Sequence, residues 1–275
     1  MNLKLLPNRL IASLLLLFPL VAPAESPDGS RAEPDAGQKG LEIAREADRR
    51  DRGFHDSTAT MRMVLRNRQG KESVREIRVK TLEQENDGDK SLTIFDSPSD
   101  VKGTKFLSFT HKTGPDDQWL YLPALKRVKR ISSRNKSGPF MGSEFAYEDI
   151  SSQEVEKYTY KYLRDEACGE GGLECFVIER YPVDPNSGYT RQVVWIDKQE
   201  YRPWKIEFYD RKNARLKTLT FSNYKQYLGR YWRALDMNME NHQTGKSTHL
   251  SWSDYRFQTG LTERDFDRSA LKRAR

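Results

Sequence analysis

Short apolar segments with alternating polarity recur between residues 57 and 257, and this alternation constrains the fold more than any other feature of the chain. In the first of them Ala59, Met61, Met63 and Leu65 alternate with more polar neighbours. A period of two residues is that of a β-strand with one buried face. No helical segments alternate with these runs, which argues against a parallel sheet. The pattern therefore predicts a meander of antiparallel hairpins, a mainly β fold with flanking helices.

Turn-forming residues divide this region into twelve predicted strands. They cover residues 58–65, 74–82, 91–95, 104–110, 119–122, 158–166, 173–181, 189–197, 204–209, 216–226, 230–241 and 246–257. A helix is predicted before them at Gln38–Arg52, ended by Gly53, and a short closing helix after them at Thr262–Ala274. Several strands are apolar on both faces, so the second face either packs under a helix or lines a cavity. A well-packed β-core explains the same pattern equally well.

The N-terminus has the features of an export signal. Lys4 and Arg9 precede an apolar run at residues 10–21, which is too short to span a bilayer, and Ala22-Pro23-Ala24 supplies small residues for cleavage. We predict a signal peptide at residues 1–24, a disordered leader at 25–37 and a single domain at 38–275. No cysteine follows the apolar run, so the mature protein is expected to be periplasmic, soluble and not lipidated.

Charge and cysteine content narrow the function classes further. The chain has a formal net charge of +7 from 47 basic and 40 acidic residues. The basic residues are spread along the strands, which argues against nucleic acid and allows an anionic membrane surface or an acidic partner. The two cysteines, Cys168 and Cys175, flank a glycine-rich turn. In an oxidising compartment this spacing predicts a disulfide that clips a hairpin, because it is not the CxxC spacing of redox or metal sites.

Residues 117–150 combine three different chemistries in succession. An aromatic strand, Trp119–Leu122, ends at Pro123 and is followed by a charged turn with the cations Lys126, Arg127, Lys129 and Arg130. These cations either dock on anionic headgroups or an acidic partner, or they are solvated charges that discourage edge-to-edge pairing. The next turn is apolar and lies between Gly138 and Gly142. It is either a mobile flap over a cavity or a plug in its own core. Glu148 and Asp149 then read as a solvated strand start.

The sequence contains no recognisable catalytic or metal-binding constellation. The four histidines, His55, His111, His242 and His249, are scattered among polar residues, and neither a G-x-S-x-G nor an H-E-x-x-H motif occurs. We therefore expect no enzyme activity, no cofactor and no metal.

Three motifs together resemble a known family. They are Trp119–Pro123 with Arg130-Ile131, the segment Phe140-Met141-Gly142-Ser143-x-Phe145-x-Tyr147-Glu148-Asp149, and Phe95-x-x-Pro98-x-Asp100-Val101-Lys102-Gly103-Thr104. This combination is similar to LolA-like outer-membrane lipoprotein-sorting proteins, over nearly all of the chain after the signal. The resemblance implies a strongly curved antiparallel sheet, an incomplete barrel whose apolar cavity is capped by helices or loops.

The same resemblance implies carriage of a lipid or lipoprotein acyl moiety through the periplasm, with an inner-membrane RND/MMPL-type exporter as a partner. We expect the ligand to contact Trp119, Tyr121, Phe140, Met141, Phe145 and Tyr147, which would line or close the cavity. Lys126, Arg127, Lys129 and Arg130 would face the membrane or the partner. An alternative is a periplasmic sensor that binds lipids or mislocalised lipoproteins.

Overall fold

The computed structural model describes Met1, residues 35–169 and residues 171–272. The chain divides into two units, residues 1–33 and 34–275, and the described helix and strands belong to the second. The predicted signal peptide and the leader up to residue 34 lie outside the described residues. Among the described helices, none is both long enough and apolar enough to cross a membrane.

The described residues form one antiparallel sheet and one α-helix, α1 (Ala36–Asp51). The strands are β1 (Asp56–Arg66), β2 (Glu72–Leu82), β3 (Lys90–Ser97), β4 (Lys105–Phe109), β5 (Asp117–Leu122), β6 (Arg127–Ile131), β7 (Tyr158–Cys168), β8 (Leu173–Pro182), β9 (Tyr189–Asp197), β10 (Pro203–Asp210), β11 (Arg215–Tyr227), β12 (Tyr231–Asn241) and β13 (Ser247–Phe257). Short 3₁₀ turns occur at Pro123–Leu125, Ser133–Asn135, Phe140–Gly142, Tyr147–Asp149, Val155–Lys157, Glu263–Phe266 and Arg268–Lys272.

The thirteen strands follow the order β6-β5-β4-β3-β2-β1-β13-β12-β11-β10-β9-β8-β7. Strands that follow each other in sequence are therefore neighbours in the sheet, except β6 and β7, which form its two edges, and β1 pairs with β13 at its centre. In the described part of the chain, β6 and β7 each pair on one side, so the sheet stays open. The predicted meander of antiparallel hairpins is confirmed.

The basic run is an edge strand and not the charged turn that the sequence predicted. Arg127–Ile131 forms β6, which pairs with residues 118–122 of β5. Three of its five residues are exposed cations, so the apolar alternation that marks a strand is absent, and Ile131 alone is buried. Lys126 precedes the strand with a left-handed φ of 47° and completes the hairpin turn.

Helix α1 covers the other edge of the sheet, where it packs against β7. Its observed bounds agree with the predicted helix to within two residues. A Cβ atom at Gly40 would lie 2.9 Å from the carbonyl carbon of Lys161 and from the amide nitrogen of Tyr162. The absence of a side chain at this position therefore allows the helix to approach the strand backbone. Ile43 and Ala44 are buried beside it.

The sheet buries residues on both faces. The main core lies on the face that α1 covers and includes Met63, Ile77, Phe106 and Met239. On the opposite face, Phe266 and Leu271 of the C-terminal segment pack against β3, β4 and β5. This segment forms two 3₁₀ turns, not the single helix predicted for residues 262–274. A third cluster lies between β8, β9 and β10, next to the confirmed disulfide Cys168–Cys175.

Candidate functional site

A cavity of about 900 Å³ opens at one end of the strands, between α1 and the sheet. We call it the larger cavity. Its apolar floor comes from five successive strands, β8 to β12, and consists of Ile178, Val194, Ile196, Ile206, Phe221 and Met237. Ala44 and Ala47 of α1 and Val155 contribute to the remaining walls. Alternation along each strand aims these residues at one face, which creates a broad apolar surface.

The mouth of the larger cavity is charged, and its charges are nearly balanced. It carries the cations Arg49, Arg50, Arg52, Arg180, Arg202, Arg230 and Arg233 and the acids Asp48, Asp51, Glu83, Asp89, Glu154 and Glu200. Many of these are paired with each other: Arg52 lies 2.6 Å from Asp48, and Arg233 donates to Asp51. The cations and acids at the mouth nearly cancel, so the mouth has little net charge with which to attract an ion. Together with the apolar interior, this suits a ligand that is mainly apolar.

One corner of that mouth holds carboxyl groups that resist ionisation. Burial, together with the charges of Glu154 and Glu83, raises the pKa of Asp89 to about 7. In the described structure its oxygens accept only long hydrogen bonds, 3.4 Å from the amide of Gln84 and 3.4 Å from Ser152 Oγ. Burial also raises the pKa of Glu154, although Arg52 lies 3.3 Å away and pulls it down. Sequence patterns did not indicate this corner, because the segment between the predicted strands 74–82 and 91–95 has the composition of a polar turn.

A second cavity, the smaller cavity, has a volume of about 830 Å³ and opens at the opposite ends of the strands. Its apolar walls come from Pro139, Phe145, Ala146 and Leu216, and the turn residues 211–214 and 241–246 contribute to its mouth. The face that α1 covers therefore has an opening at each end of its strands, with core residues such as Leu219 and Met239 between them.

The segment between residues 138 and 147 is a packed plug. Phe140 is fully buried, and its ring centroid lies 5.1 Å from Phe106, 6.0 Å from Phe95 and 5.5 Å from Tyr147. Phe145 is 3% exposed. Of the two interpretations of this segment, the structure shows the one in which it fills the core.

Glu148 and Asp149 follow this plug and attach its end to the sheet. The prediction that they form a solvated strand start is wrong. Asp149 Oδ2 lies 2.7 Å from Lys217 Nζ, with side-chain exposures of 7% and 4%, and Tyr189 donates its hydroxyl to Asp149 Oδ1 at 2.8 Å. Glu148 accepts from the amide of Gly188 at 2.8 Å. The residues form a 3₁₀ turn that directs Glu148 towards the turn before β9 and Asp149 towards β9 and β11, so the alternation of a strand does not apply.

The six aromatic and apolar residues predicted to contact a ligand do not come together. Phe140, Met141, Phe145 and Tyr147 lie in the main core, whereas Trp119 and Tyr121 lie in the cluster on the opposite face, with Phe266. Successive strand residues point to opposite faces, and Leu120 and Leu122 are the β5 residues that face the main core. Among the described residues that line the larger cavity, none of the six is present, and Phe145 lines the smaller one.

The four predicted docking cations lie at the open edge of the sheet. Lys126, Arg127, Lys129 and Arg130 are all exposed. Arg130 pairs with Asp117 on β5. The structure thus brings these cations together on one edge, remote from the larger cavity at the β8–β12 half of the sheet.

Solved structures share the fold of this open antiparallel sheet. A LolA superfamily protein from Nitrosomonas europaea superposes with a TM-score of 0.67 at 21% identity, covering 84% of this chain and 98% of its own. The fold is therefore that of the LolA superfamily, and the predicted fold class, a curved antiparallel sheet that forms an incomplete barrel, is confirmed.

Two further structures establish the family. An outer membrane lipoprotein-sorting protein domain from Vibrio parahaemolyticus is 66% identical, with a TM-score of 0.84 over 86% of this chain and 100% of its own. A DUF1329 family protein from Desulfovibrio piger is 32% identical, with a TM-score of 0.81 over 86% and 99%. A family model described as an uncharacterized protein matches residues 87–273. No curated protein matches. The chain belongs to the LolA-like outer membrane lipoprotein-sorting protein family.

Proposed function

We propose that this protein is a periplasmic carrier that binds the acyl part of a lipid or lipoprotein in the larger cavity and passes it between membranes. The observation that supports this most directly is the apolar floor of the cavity, built by residues of β8 to β12. A volume of about 900 Å³ lies at the upper end of the usual range for ligand pockets. In this proposal residues 1–24 direct export, and Phe145 and Tyr147 hold the plug between the two cavities.

The energetics of acyl transfer explain why such a site needs few polar contacts. Burial of an acyl chain with about sixteen carbons contributes about 13 kcal/mol, at about 0.8 kcal/mol for each CH₂ group. A bilayer gives the chain a similar free energy, so the carrier needs comparable apolarity and no strong polar grip. The floor residues, which include Ile206, Phe221 and Met237, supply that apolarity.

The direction of lipid transfer must then be set by a partner. A carrier that binds the acyl chain about as strongly as a bilayer does favours neither loading nor release by itself. We propose an RND/MMPL-type inner-membrane exporter as that partner. The cations from Lys126 to Arg130 are the candidate contact surface, since they are exposed on the unpaired side of β6.

Two residues that pair across β11 and β12 provide the test. Phe221 lies opposite Met237, and both are half-buried at the cavity floor. We expect Met237→Glu to place a charge in the path of the acyl chain and to remove lipid that co-purifies with the native protein. Asn238→Glu is the matched control, because Asn238 is the next residue on the same strand and is exposed.

The readout is mass spectrometry of organic extracts, with circular dichroism to confirm that each variant is folded. Lipid in the native protein and in Asn238→Glu, together with its loss from Met237→Glu, supports the carrier. If native protein incubated with lipid vesicles and re-purified yields no lipid, or if both variants retain it equally, the larger cavity is not the cargo site. Phe221→Glu gives an independent repeat should Met237→Glu fail to fold.

A further inference from the structure

The turns at the two ends of the strands differ in charge. Because the strands are antiparallel neighbours, six turns lie at one end, namely residues 67–71, 98–104, 123–126, 183–188, 211–214 and 242–246. We call these turns the cationic rim. They carry seven cations, Arg68, Lys71, Lys102, Lys126, Arg211, Lys212 and Lys246, against two acids, Asp100 and Asp184. The described turns at the opposite end, 52–55, 83–89, 110–116, 198–202 and 228–230, carry six acids and five cations.

The cations of the rim are exposed and form no close ion pairs among the described residues. All seven are exposed, and within residues 35–169 and 171–272 none of them forms an ion pair with a carboxylate. Arg211 donates to the backbone carbonyls of Ser187 and Asn186, which leaves its charge unneutralised. Asp184, one of the two acids, is already paired with Lys136 at 2.6 Å.

At the opposite end, six acids and five cations nearly balance, and several of the acids are engaged within the fold. Glu83 accepts from the amides of Gly53 and His55, at 2.7 Å in each case. Asp116 lies 2.6 Å from Lys157 Nζ. The excess of positive charge in the turns is therefore concentrated at one end of the strands. An ordinary solvated surface would distribute both signs of charge evenly between the two ends.

Exposed apolar side chains accompany these cations. Leu125 and Val183, 63% and 57% exposed, both lie on the cationic rim. Surfaces that bind the interface of an anionic membrane combine lysine and arginine with exposed aliphatic residues. The cations are attracted by anionic headgroups, while the aliphatic side chains enter the headgroup region.

We propose that the cationic rim docks the protein on an anionic lipid surface. The smaller cavity, whose mouth includes Arg211, Lys212 and Lys246, then faces the lipid. The larger cavity opens on the side away from the membrane, where a partner has access to it. The inference depends on charge and exposure at the rim and holds whichever hydrophobe the larger cavity carries.

Vesicle binding tests this directly. The mature protein is floated with vesicles of phosphatidylcholine alone and of phosphatidylcholine mixed with phosphatidylglycerol. The rim variant combines Arg68→Gln, Lys212→Gln and Lys246→Gln. The control variant combines Lys225→Gln, Arg256→Gln and Arg264→Gln, which are exposed, lie off the rim and change the net charge equally.

We expect native protein and control to bind the anionic vesicles and to be released by high salt. The rim variant should bind about a hundredfold more weakly, since each of its three removed cations contributes about a factor of five near the surface. A second variant, Leu125→Ser with Val183→Ser, should weaken binding and leave the salt dependence unchanged.

Equal loss in the rim and control variants, or equal binding to both kinds of vesicle, would overturn the proposal. Extraction of bound lipid from the same rim variant separates this test from that of the carrier. If the rim variant retains its bound lipid but no longer binds the anionic vesicles, docking at the rim is supported. A native protein that binds the vesicles yet retains no cargo refutes the carrier alone.

Discussion

The packing of Phe140 leads to a quantitative prediction about the plug. A fully buried phenylalanine removes about 150–250 Å² from water, which contributes about 4–6 kcal/mol at about 25 cal/mol per Å². Phe140 is 0% exposed and contacts three aromatic rings. Because alanine keeps one methyl group and the cavity collapses in part, we expect Phe140→Ala to lower the free energy of unfolding by about 3–5 kcal/mol.

The assay is urea denaturation followed by fluorescence, with the midpoint shifted and the slope unchanged if the variant unfolds in two states. Met141→Ala is the matched control on the same turn, since Met141 is half-buried and should cost about 1 kcal/mol. A loss below about 1 kcal/mol for Phe140→Ala, with altered lipid retention, would show a mobile flap and refute the packed plug. Phe140→Asp is a poor probe of ligand binding, because it places an unpaired carboxylate at this buried position and would destabilise the fold.

Two further predictions concern buried charges. Lys217→Met should destabilise the protein by about 3–5 kcal/mol, because it leaves Asp149 buried without its cation; adding Asp149→Asn should recover part of that loss in urea denaturation, and strictly additive costs would contradict the pairing. Asp89, with a folded pKa of about 7 against 3.8, keeps a proton that the unfolded chain releases, so its contribution to stability falls as pH rises from about 4 to about 7. Asp89→Asn should therefore raise the melting temperature at about pH 8 and change it little at about pH 4, and equal shifts at both values would argue against a raised pKa.

The local sequence pattern was sufficient to predict most strands of the sheet. The twelve predicted strands correspond to β1–β5 and β7–β13, and the first helix and the disulfide were predicted as well. Each of these depends on neighbours in sequence. Strand β6 was missed because its side chains are mostly exposed cations and only its backbone pairs with β5.

The candidate site was less predictable. The residues predicted to contact a ligand lie within 117–150, whereas the larger cavity is lined mainly by α1 and by β8 to β12, whose apolar residues resemble those of any sheet core along the chain. Arg202 and Asp48 belong to one cavity mouth although they are more than a hundred residues apart in sequence. No local pattern reports that proximity.

By itself, the sequence determined the antiparallel meander, the hairpin disulfide and the family, because alternation, turn residues and motifs are properties of short segments. Only the tertiary structure decided which faces are covered, that Phe140 fills the core, and that Asp149 meets Lys217 beneath it. It also decided that cations from five separate turns form one rim, since the charge of a surface depends on which strand ends lie together. Burial and surface charge are sums over residues that are distant in sequence, so they became defined only when the sheet assembled.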